Sequence, residues 1–340
     1  MIQSTTGATA TAHSKVGAGR GRKIIGILLD NSVWVLLIFG VLLFCYLSPQ
    51  FFNPFRNIQL YFNIPMQSAV MGVLTIGLAG TILLGDIDLS CIGMMAVSSA
   101  IGVLLFRTQN IPGFLAYIII IGIGTLLGFI NGVLIAKLKT VALIETLAMN
   151  TTLTGAVLAI TRGRTIIVSD PSYTWLGQRQ AFGHIPYLVF ILLIVYAIIH
   201  VVWRRTPLGR SFYAVGGNPQ CARVSGINVD LTRIAAFTMS GTCAGIAGIM
   251  LSAKMHSINS TFGQTYGMDI IAAAVIGGTS LKGGVAKVSG ILGGVLLINF
   301  IQVGLQVFGV DAYYVQVVTG LIILLAVLID SLRIRFHSQE

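Results

Sequence analysis

The chain has 340 residues, of which 55% are hydrophobic and only 9% are charged, and its formal net charge at pH 7 is +11. Soluble domains carry about 25% charged residues, so this composition excludes an ordinary soluble protein. No basic face interleaved with aromatic residues is present, which argues against nucleic-acid binding. Apolar segments of about 20 residues, long enough to cross a ~30 Å hydrocarbon layer, recur along the chain. The sequence therefore predicts a protein with many membrane spans.

The predicted fold is an all-α integral membrane domain, residues 24–335, with about ten transmembrane helices. A basic cytoplasmic tail, residues 1–23, is predicted to be disordered, and a second short tail covers residues 336–340. No convincing cleavage site follows the first tail, so we predict that the first span is not removed. The predicted spans are residues 24–47, 60–84, 89–106, 113–136, 140–161, 185–203, 233–254, 269–281, 285–306 and 315–331.

The distribution of lysine and arginine predicts the orientation of these spans. Cytoplasmic loops of membrane proteins are enriched in both residues. With ten spans and a cytoplasmic N-terminus, 15 of the 21 basic residues lie on the cytoplasmic side. The sequence therefore predicts that both termini are cytoplasmic.

Two of the predicted spans have glycines at intervals of three or four residues. These are Gly124, Gly128 and Gly132 in one span, and Gly241, Gly245 and Gly248 in the other. Small residues at this spacing let the backbones of two helices approach closely. The pattern therefore predicts that each of these two spans packs tightly against another helix.

The first polar motif in the apolar chain is GDIDLSCIG, residues 85–93. Asp86 and Asp88 are costly near a membrane unless they face water, a partner or the interior of the bundle. One interpretation places both carboxylates, with Ser90, at a break between helices that lines or gates a pathway. The other interpretation is a cap, in which Asp86 or Asp88 accepts backbone N–H groups at the start of the third span. The sequence GGTSLKGG, residues 277–284, is weakly similar to this motif, which suggests an internal repeat.

Glu145 lies one turn into the fifth predicted span, in the sequence LKTVALIETLAM, residues 138–149. A carboxylate inside a span is a candidate functional residue, here for contact with a substrate or for gating. Because it is near the cytoplasmic end, it could instead reach the membrane surface or pair with Lys139.

Uncharged amides in the spans are further candidates for a pathway that carries a polar substrate. Asn299, Gln302 and Gln306 follow at intervals of three and four residues and so share one helical face. Asn131 lies in the fourth predicted span. Hydrogen bonding between helices is the alternative role for all four side chains.

A long basic segment, RRTPLGRSFYAVGGNPQCARVSGINV at residues 204–229, separates two apolar runs and is called the polar segment below. Asn218 followed by Pro219 predicts the start of a helix of about two turns, and Gly226 predicts its end. A helix this short is marginal in water and needs a surface to pack against. The segment is therefore either a site for a partner subunit, with Ala222 and Arg223 on different sides of the helix, or a solvated connection.

The polar segment resembles the central cytoplasmic segment of permease subunits of ribose-type ABC sugar importers. GDIDLSCIG and IIAAAVIGGTSLKGG, residues 270–284, are similar to two further motifs of that family, and the resemblance covers roughly residues 30 to 335. The chain departs from the family pattern at Asp86, where a glycine is usual, and at Glu145, where an apolar residue is usual.

The resemblance implies a permease homodimer, a P-loop ATPase subunit on the cytoplasmic side and a periplasmic sugar-binding protein on the other. It also implies that the polar segment transmits motion to or from the ATPase, through Gly217, Asn218, Pro219, Ala222, Arg223 and Gly226. The chain has no G-x-x-x-x-G-K-[ST] motif of its own, so ATP and Mg²⁺ are expected in the partner and no cofactor or metal in this chain.

The resulting hypothesis is the inner-membrane permease of a bacterial importer for a monosaccharide or related polyol, without catalytic activity of its own. Two alternatives stay open. A permease for another small solute, such as branched-chain amino acids, would keep the same machinery. An ion-coupled carrier would use Asp86, Asp88 or Glu145 as an ion relay and would need no ATPase.

Overall fold

The computed structural model describes residues 32–47, 58–181, 183, 185–311, 313–321 and 324, and within these the chain is predominantly helical. The helices are α1 (Ser32–Leu47), α2 (Ile58–Leu83), α3 (Cys91–Gln109), α4 (Gly113–Leu138), α5 (Ala142–Thr161), α6 (Pro171–Gln178), α7 (Tyr187–Arg205), α8 (Pro207–Gly217), α9 (Pro219–Val224), α10 (Val229–Met255), α11 (Gly267–Ile276) and α12 (Val288–Val307). A 3₁₀ turn, Gln264–Tyr266, precedes α11, and residues 313–321 are also helical. Strand β1 (Ile166–Ile167) pairs with β4 (Ser257–Ile258), and β2 (Gln180–Ala181) pairs with β3 (Ile185–Pro186), both antiparallel.

Seven of the described helices are long and apolar enough to cross a membrane, namely α2, α3, α4, α5, α7, α10 and α12. They coincide with seven of the predicted spans. The first and eighth predicted spans are present as the shorter apolar helices α1 and α11. Only residues 315–321 and 324 of the tenth predicted span are described, and the two predicted tails lie outside the described residues.

Helices α4 and α10 pack with their backbones in contact along the glycines noted in the sequence. A Cβ atom added to Gly124 would lie 2.5 Å from the carbonyl oxygen of Gly241, and one added to Gly241 would lie 2.2 Å from that of Gly124. A Cβ atom added to Gly128 would lie 2.4 Å from the carbonyl oxygen of Phe237 and 2.9 Å from the Cα of Gly241. The predicted tight packing is confirmed, and it makes α10 a central helix, because α2 and α3 also pack against it.

Three connecting regions meet at one end of the bundle. Residues 84–90 are called the first break, and residues 277–287 are called the second break. The third region is the polar segment. The N–H of Gly284 donates to the carbonyl of Leu83, the last residue of α2, at 2.9 Å. A Cβ atom added to Gly283 would lie 2.9 Å from the N of Gly85, so the two breaks lie side by side. At the opposite end β1 pairs with β4, and α6 packs against the end of α10.

The two ends differ in their content of basic residues. Among the described residues, nine lie at the end that holds the breaks: Lys137, Lys139, Arg204, Arg205, Arg210, Arg223, Arg233, Lys282 and Lys287. Five lie at the opposite end: Arg107, Arg162, Arg164, Arg179 and Lys254.

Candidate functional site

The first break places a fully buried carboxylate at the start of α3. The side chain of Asp88 is 0% exposed, and its Oδ1 accepts the N–H of Ser90 at 3.0 Å as well as the Ser90 hydroxyl. Its Oδ2 accepts the hydroxyl of Ser240, on α10, at 2.7 Å. Asp88 thus binds Ser90, the residue directly before α3, whereas the N-cap position of α3 has no side-chain cap.

Asn131 extends this buried cluster to α4. Its Nδ2 donates to the hydroxyl oxygen of Ser90 at 2.7 Å. Its Oδ1 is buried and accepts no hydrogen bond from the described residues. The cluster of Asp88, Ser90, Asn131 and Ser240 therefore joins the first break to α4 and α10.

Asp86 lies outside the cluster and forms an ion pair with α10. The Nε atom of Arg233 lies 3.0 Å from Oδ2 of Asp86, and the two side chains are only 28% and 12% exposed. Arg233 and Ser240 are seven residues apart and so lie on the same face of α10. The first break is thus fastened to one face of α10 at two points. Sequence reasoning missed Arg233, since its pairing with Asp86 joins positions far apart in the chain.

Helix α5 contacts the first break through a row of polar side chains. The hydroxyl of Thr146 donates to the carbonyl of Ile87 at 3.1 Å, and Oδ1 of Asn150 accepts the N–H of Gly93 at 3.0 Å. Both carboxylate oxygens of Glu145 are buried and have no hydrogen-bond partner among the described residues. The bond of the next residue, Thr146, to Ile87 places Glu145 beside the first break. The alternative expectation, that Glu145 pairs with Lys139, is not met: the ion pairs among the described residues do not include these two side chains.

The amides of α12 have three different surroundings instead of one common lining. Asn299 is buried and donates to the sulfur of Met71, on α2, at 3.0 Å. Gln302 donates to Oδ2 of Asp269, on α11, at 3.0 Å, and Gln306 is exposed. The sequence analysis missed Asp269, although a carboxylate at the start of an apolar helix is a detectable signal.

The predicted short helix in the polar segment is confirmed as α9. Oδ1 of Asn218 accepts the N–H groups of Gln220 and Cys221 at 2.9 and 3.0 Å, and Pro219 is the first helical residue. Gly226 ends the helix with a φ of +83°. The N–H of Ile227 donates to the carbonyl of Ala222 at 3.0 Å, as expected of a Schellman motif.

One side of α9 is anchored and the other side is exposed. Ala222 is buried, whereas Arg223 is exposed and Val224 is 88% exposed. Arg223 lies 4.0 Å from Asp230 at the start of α10, and Lys137 of α4 lies 3.7 Å from the same carboxylate. Arg223 and Val224 therefore form the solvent-facing side of α9.

The polar segment also contacts both breaks directly. A Cβ atom added to Gly216, near the end of α8, would lie 1.8 Å from the carbonyl oxygen of Leu83 and 2.6 Å from the N of Gly284. The hydroxyl of Tyr213 donates to the carbonyl of Ala286 at 2.9 Å. Gly217 is exposed, with Gly284 packed beside its backbone. Movement of α8 must therefore displace both breaks or break these contacts.

The described residues contain no group of three or more His, Cys, Asp or Glu side chains arranged to hold a metal ion. The polar side chains of the breaks are instead joined in pairs and small clusters that connect helices.

Comparison with protein families matches residues 60–327 to the permease component of the branched-chain amino acid transport system family. The chain belongs to this family. With its long apolar helices, this permease is a multi-pass protein of the inner membrane.

Several characterised relatives of this permease are named as sugar import permeases. It is 35% identical over 308 residues to the ribose import permease protein of Haemophilus influenzae, covering 89% of this chain and 94% of the relative. It is 36% identical over 306 residues to the ribose import permease protein of Bacillus subtilis, covering 90% and 94%. It is 29% identical over 329 residues to the galactose/methyl galactoside import permease protein of Escherichia coli, covering 92% and 97%. No solved structure matched the chain.

Proposed function

We propose that this permease is the membrane subunit of a bacterial ABC importer for a monosaccharide or a related polyol. The observation that carries the proposal is the similarity to ribose and galactose import permeases over about nine tenths of this chain. A relative named as a fructose import permease, from Rhizobium meliloti, is 33% identical over 304 residues. These names favour sugars over branched-chain amino acids as the cargo.

The proposed topology has ten spans with both termini in the cytoplasm. The end of the bundle that holds the breaks is the cytoplasmic end, since it carries nine of the described basic residues against five at the other end. The polar segment then lies in the cytoplasm. The paired strands β1 and β4 lie on the periplasmic side.

The proposed pathway lies between two copies of the permease, with α5 facing the second copy. Only 17% of the most apolar stretch of α5 is buried within one copy. Its exposed residues include Thr151, Thr152 and Gly155, which are small and partly polar. Such residues favour close packing against another helix over contact with lipid alone. In this arrangement Glu145 lies beside the pathway, near the first break.

The candidate pathway residues have two proposed roles. Asp86, Asp88, Ser90 and Asn131 hold the first break in place and so set the cytoplasmic gate. Asn299, Gln302 and Gln306 supply donors and acceptors on α12, of which Gln306 is exposed in one copy. Hydroxyl-rich sugars need both kinds of group.

The proposed ATPase site is the exposed side of α9, formed by Arg223 and Val224. Asn218, Pro219 and Gly226 fix the ends of α9, and Ala222 anchors it, so the exposed side is held rigidly. A force on α9 passes to α8 through Gly217 and reaches both breaks at Gly216. A second route runs along α10 to the ion pair of Arg233 with Asp86. ATP and Mg²⁺ are bound by the ATPase and not by this chain.

The proposed docking site for a periplasmic sugar-binding protein is the opposite end of the bundle. An open cavity of about 670 Å³ lies there, lined by Arg107, Asn110, Asp170 and neighbouring residues. The N–H of Ser172 donates to Asp170 and, as the main cause, lowers the pKa of that carboxyl, which favours a charged surface at this end.

One observation favours the ion-coupled carrier as a second candidate. Glu145 has no hydrogen-bond partner among the described residues and lies beside the first break, so a bound proton or cation would neutralise its charge. The ATP-driven importer is preferred because the carrier gives no role to the surface of α9.

The proposal is tested by uptake of radiolabelled ribose, galactose and fructose into cells that lack the permease and cells in which it is restored. We expect restored uptake of at least one sugar that survives a protonophore and stops when arsenate depletes ATP. Uptake that stops with the protonophore while ATP is maintained would contradict the proposal and support the carrier. Restored uptake of leucine but of no sugar would support the amino acid alternative.

A further inference from the structure

Helix α11 begins near the middle of the membrane instead of at one of its surfaces. It has 10 residues and a length of about 15 Å, half of a ~30 Å hydrocarbon layer, and it ends at the second break. The chain before it returns from β4, at the opposite end of the bundle. A Cβ atom added to Gly267, the first residue of α11, would lie 3.5 Å from Ile92 near the start of α3. Interrupted helices of this kind form solute sites near the middle of the membrane in other transporters.

Asp269 places a carboxylate at this depth, in the first turn of α11. Its Oδ2 accepts a hydrogen bond from Nε2 of Gln302, on α12, at 3.0 Å. None of the ion pairs among the described residues includes Asp269. A carboxylate within a membrane is costly unless it faces water, a partner or the interior of the bundle. Since Gln302 is a neutral amide, the charge of Asp269 requires water or a bound polar molecule beside it.

Polar atoms next to this hydrogen bond are accessible to solvent. Oδ1 of Asp269 and Oε1 of Gln302 form no hydrogen bond with other described residues, and neither belongs to the buried unpaired atoms of the described chain. The hydroxyl of Tyr266, three residues before Asp269, is also unpaired there and is not a buried atom. The three side chains therefore present two acceptors and one hydroxyl to a molecule that arrives from solution.

These atoms lie at the inner end of a row of polar side chains. Gln306 follows Gln302 on the same face of α12, closer to the end of the bundle opposite the breaks, and it is exposed. In the other direction α11 continues as IIAAAVI, residues 270–276, which has no polar side chain. The polar row therefore leads inward from the end opposite the breaks and stops at Asp269.

The row also lies close to the helix that faces the proposed pathway. Ile92 of α3 lies beside Gly267, and the next residue, Gly93, donates its N–H to Oδ1 of Asn150, on α5, at 3.0 Å. The start of α11 and helix α5 thus meet α3 at consecutive residues.

We propose that Asp269, Gln302 and Tyr266 form a binding site for the hydroxyl groups of the transported sugar, called the hydroxyl site. The carboxylate accepts hydrogen bonds from sugar hydroxyls, and the amide and the phenol supply further donors and acceptors. These bonds replace the hydrogen bonds to water that a sugar loses inside the membrane. The inference rests on the proposed transport of a sugar and adds the residues that hold it part-way across.

The first test is uptake of radiolabelled ribose, galactose and fructose by cells that carry full-length Asp269→Asn. Asparagine keeps the side-chain size and an oxygen that accepts from Gln302, so a bond that only fastens α11 to α12 survives. Because one charge-assisted hydrogen bond to the sugar is lost, uptake at equal membrane levels should fall about tenfold, which corresponds to about 1.4 kcal/mol. Asp311→Asn is the matched control, since it removes the same charge from an exposed residue beyond α12. This control should transport like the wild type.

The outcomes separate the hydroxyl site from the function on which it rests. Undiminished uptake in Asp269→Asn, where the wild type carries a sugar, would overturn the site and leave the importer standing. An equal loss in Asp269→Asn and Asp311→Asn would also overturn it. Wild-type cells that take up none of the three sugars would contradict the importer and the site together. If wild-type uptake stops with a protonophore while ATP is maintained, a loss in Asp269→Asn would assign the carboxylate to a proton and overturn the site.

A second test measures whether solvent reaches Asp269, and it does not depend on which solute is carried. Asp269→Cys is combined with Cys45→Ala and Cys221→Ser, which leaves only the buried Cys91 and Cys243. A membrane-impermeant methanethiosulfonate reagent added outside the cells should label this variant. Ala273→Cys in the same background should stay unlabelled, because Ala273 lies one turn further along α11 and is buried. No labelling of Asp269→Cys, or equal labelling of both variants, would refute the hydroxyl site.

Discussion

The most direct perturbation of the contact between the polar segment and the two breaks is Gly216→Ala. Gly216 lies within α8 and has no positive φ, so alanine fits its backbone conformation. The added methyl group, however, would lie 1.8 Å from the carbonyl oxygen of Leu83 and 2.6 Å from the N of Gly284. Both neighbours are backbone atoms and cannot rotate away, so α8 has to move away from both breaks.

The size of the effect follows from three contributions. Overpacking costs about 1–3 kcal/mol. Loss of the hydrogen bond from Gly284 to Leu83 costs about 0.5–1.5 kcal/mol. The better helix propensity of alanine returns about 1 kcal/mol. We therefore expect Gly216→Ala to be destabilised by about 0.5–3.5 kcal/mol and to lose ATP-driven uptake where it is still folded.

Gly217→Ala is the matched control, because no atom lies within 4 Å of a Cβ added to Gly217. The assay compares the melting temperatures of both variants in detergent and then their uptake in cells at equal membrane levels. Gly217→Ala should melt like the wild type, because its added methyl group meets no other atom, and should retain more uptake than Gly216→Ala. Equal melting and equal uptake for the two variants would refute the packing of α8 against the breaks.

Three further predictions concern charged residues. Asp86→Asn and Arg233→Gln should each lower the melting temperature, and a double-mutant cycle should give a coupling of about 1 kcal/mol, between the values for exposed and buried pairs. Glu145→Gln should raise the melting temperature, because it removes a carboxylate whose two buried oxygens have no hydrogen-bond partner among the described residues. Arg223→Glu should abolish ATP-driven uptake and leave membrane insertion unchanged, because the side chain is exposed on α9.

Each of these predictions has its own control. Additive effects in the cycle would contradict the ion pair of Asp86 with Arg233. Glu145→Asp retains the charge and should give no gain in melting temperature, so a gain in both variants would point to side-chain size instead. Arg179→Glu reverses a charge at the opposite end of the bundle and should leave ATPase association intact. If Arg223→Glu retains both ATPase association and uptake, α9 is not the ATPase site.

Local features of the fold could be predicted from the sequence because neighbouring residues determine them. The cap at Asn218 and the left-handed Gly226 depend only on the residues around α9. The seven long spans follow from the length of each apolar run. Close packing at the glycines of α4 and of α10 was also foreseeable, since small residues at helical spacing let backbones approach, but the sequence did not show that the two helices meet each other.

Contacts between distant parts of the chain were not predictable in this way. The pairing of Asp86 with Arg233 and the burial of Asp88 against Ser240 depend on how the first break packs against α10. The three amides of α12 share one helical face, but the partner of Asn299 comes from α2 and the partner of Gln302 comes from α11. A single sequence carries no signal for these neighbours, so the expected common lining could not be checked before the helices were placed.

The central claim is that this permease works with a separate ATPase, and affinity purification tests it most directly. The tagged chain is purified from its native membrane in mild detergent, and the proteins that elute with it are identified by mass spectrometry. The account predicts a P-loop ATPase in near-equal amount, lost in Arg223→Glu and retained in Arg179→Glu. Elution of the chain alone, under conditions that preserve other transporter complexes, would contradict the account and favour an ion-coupled carrier.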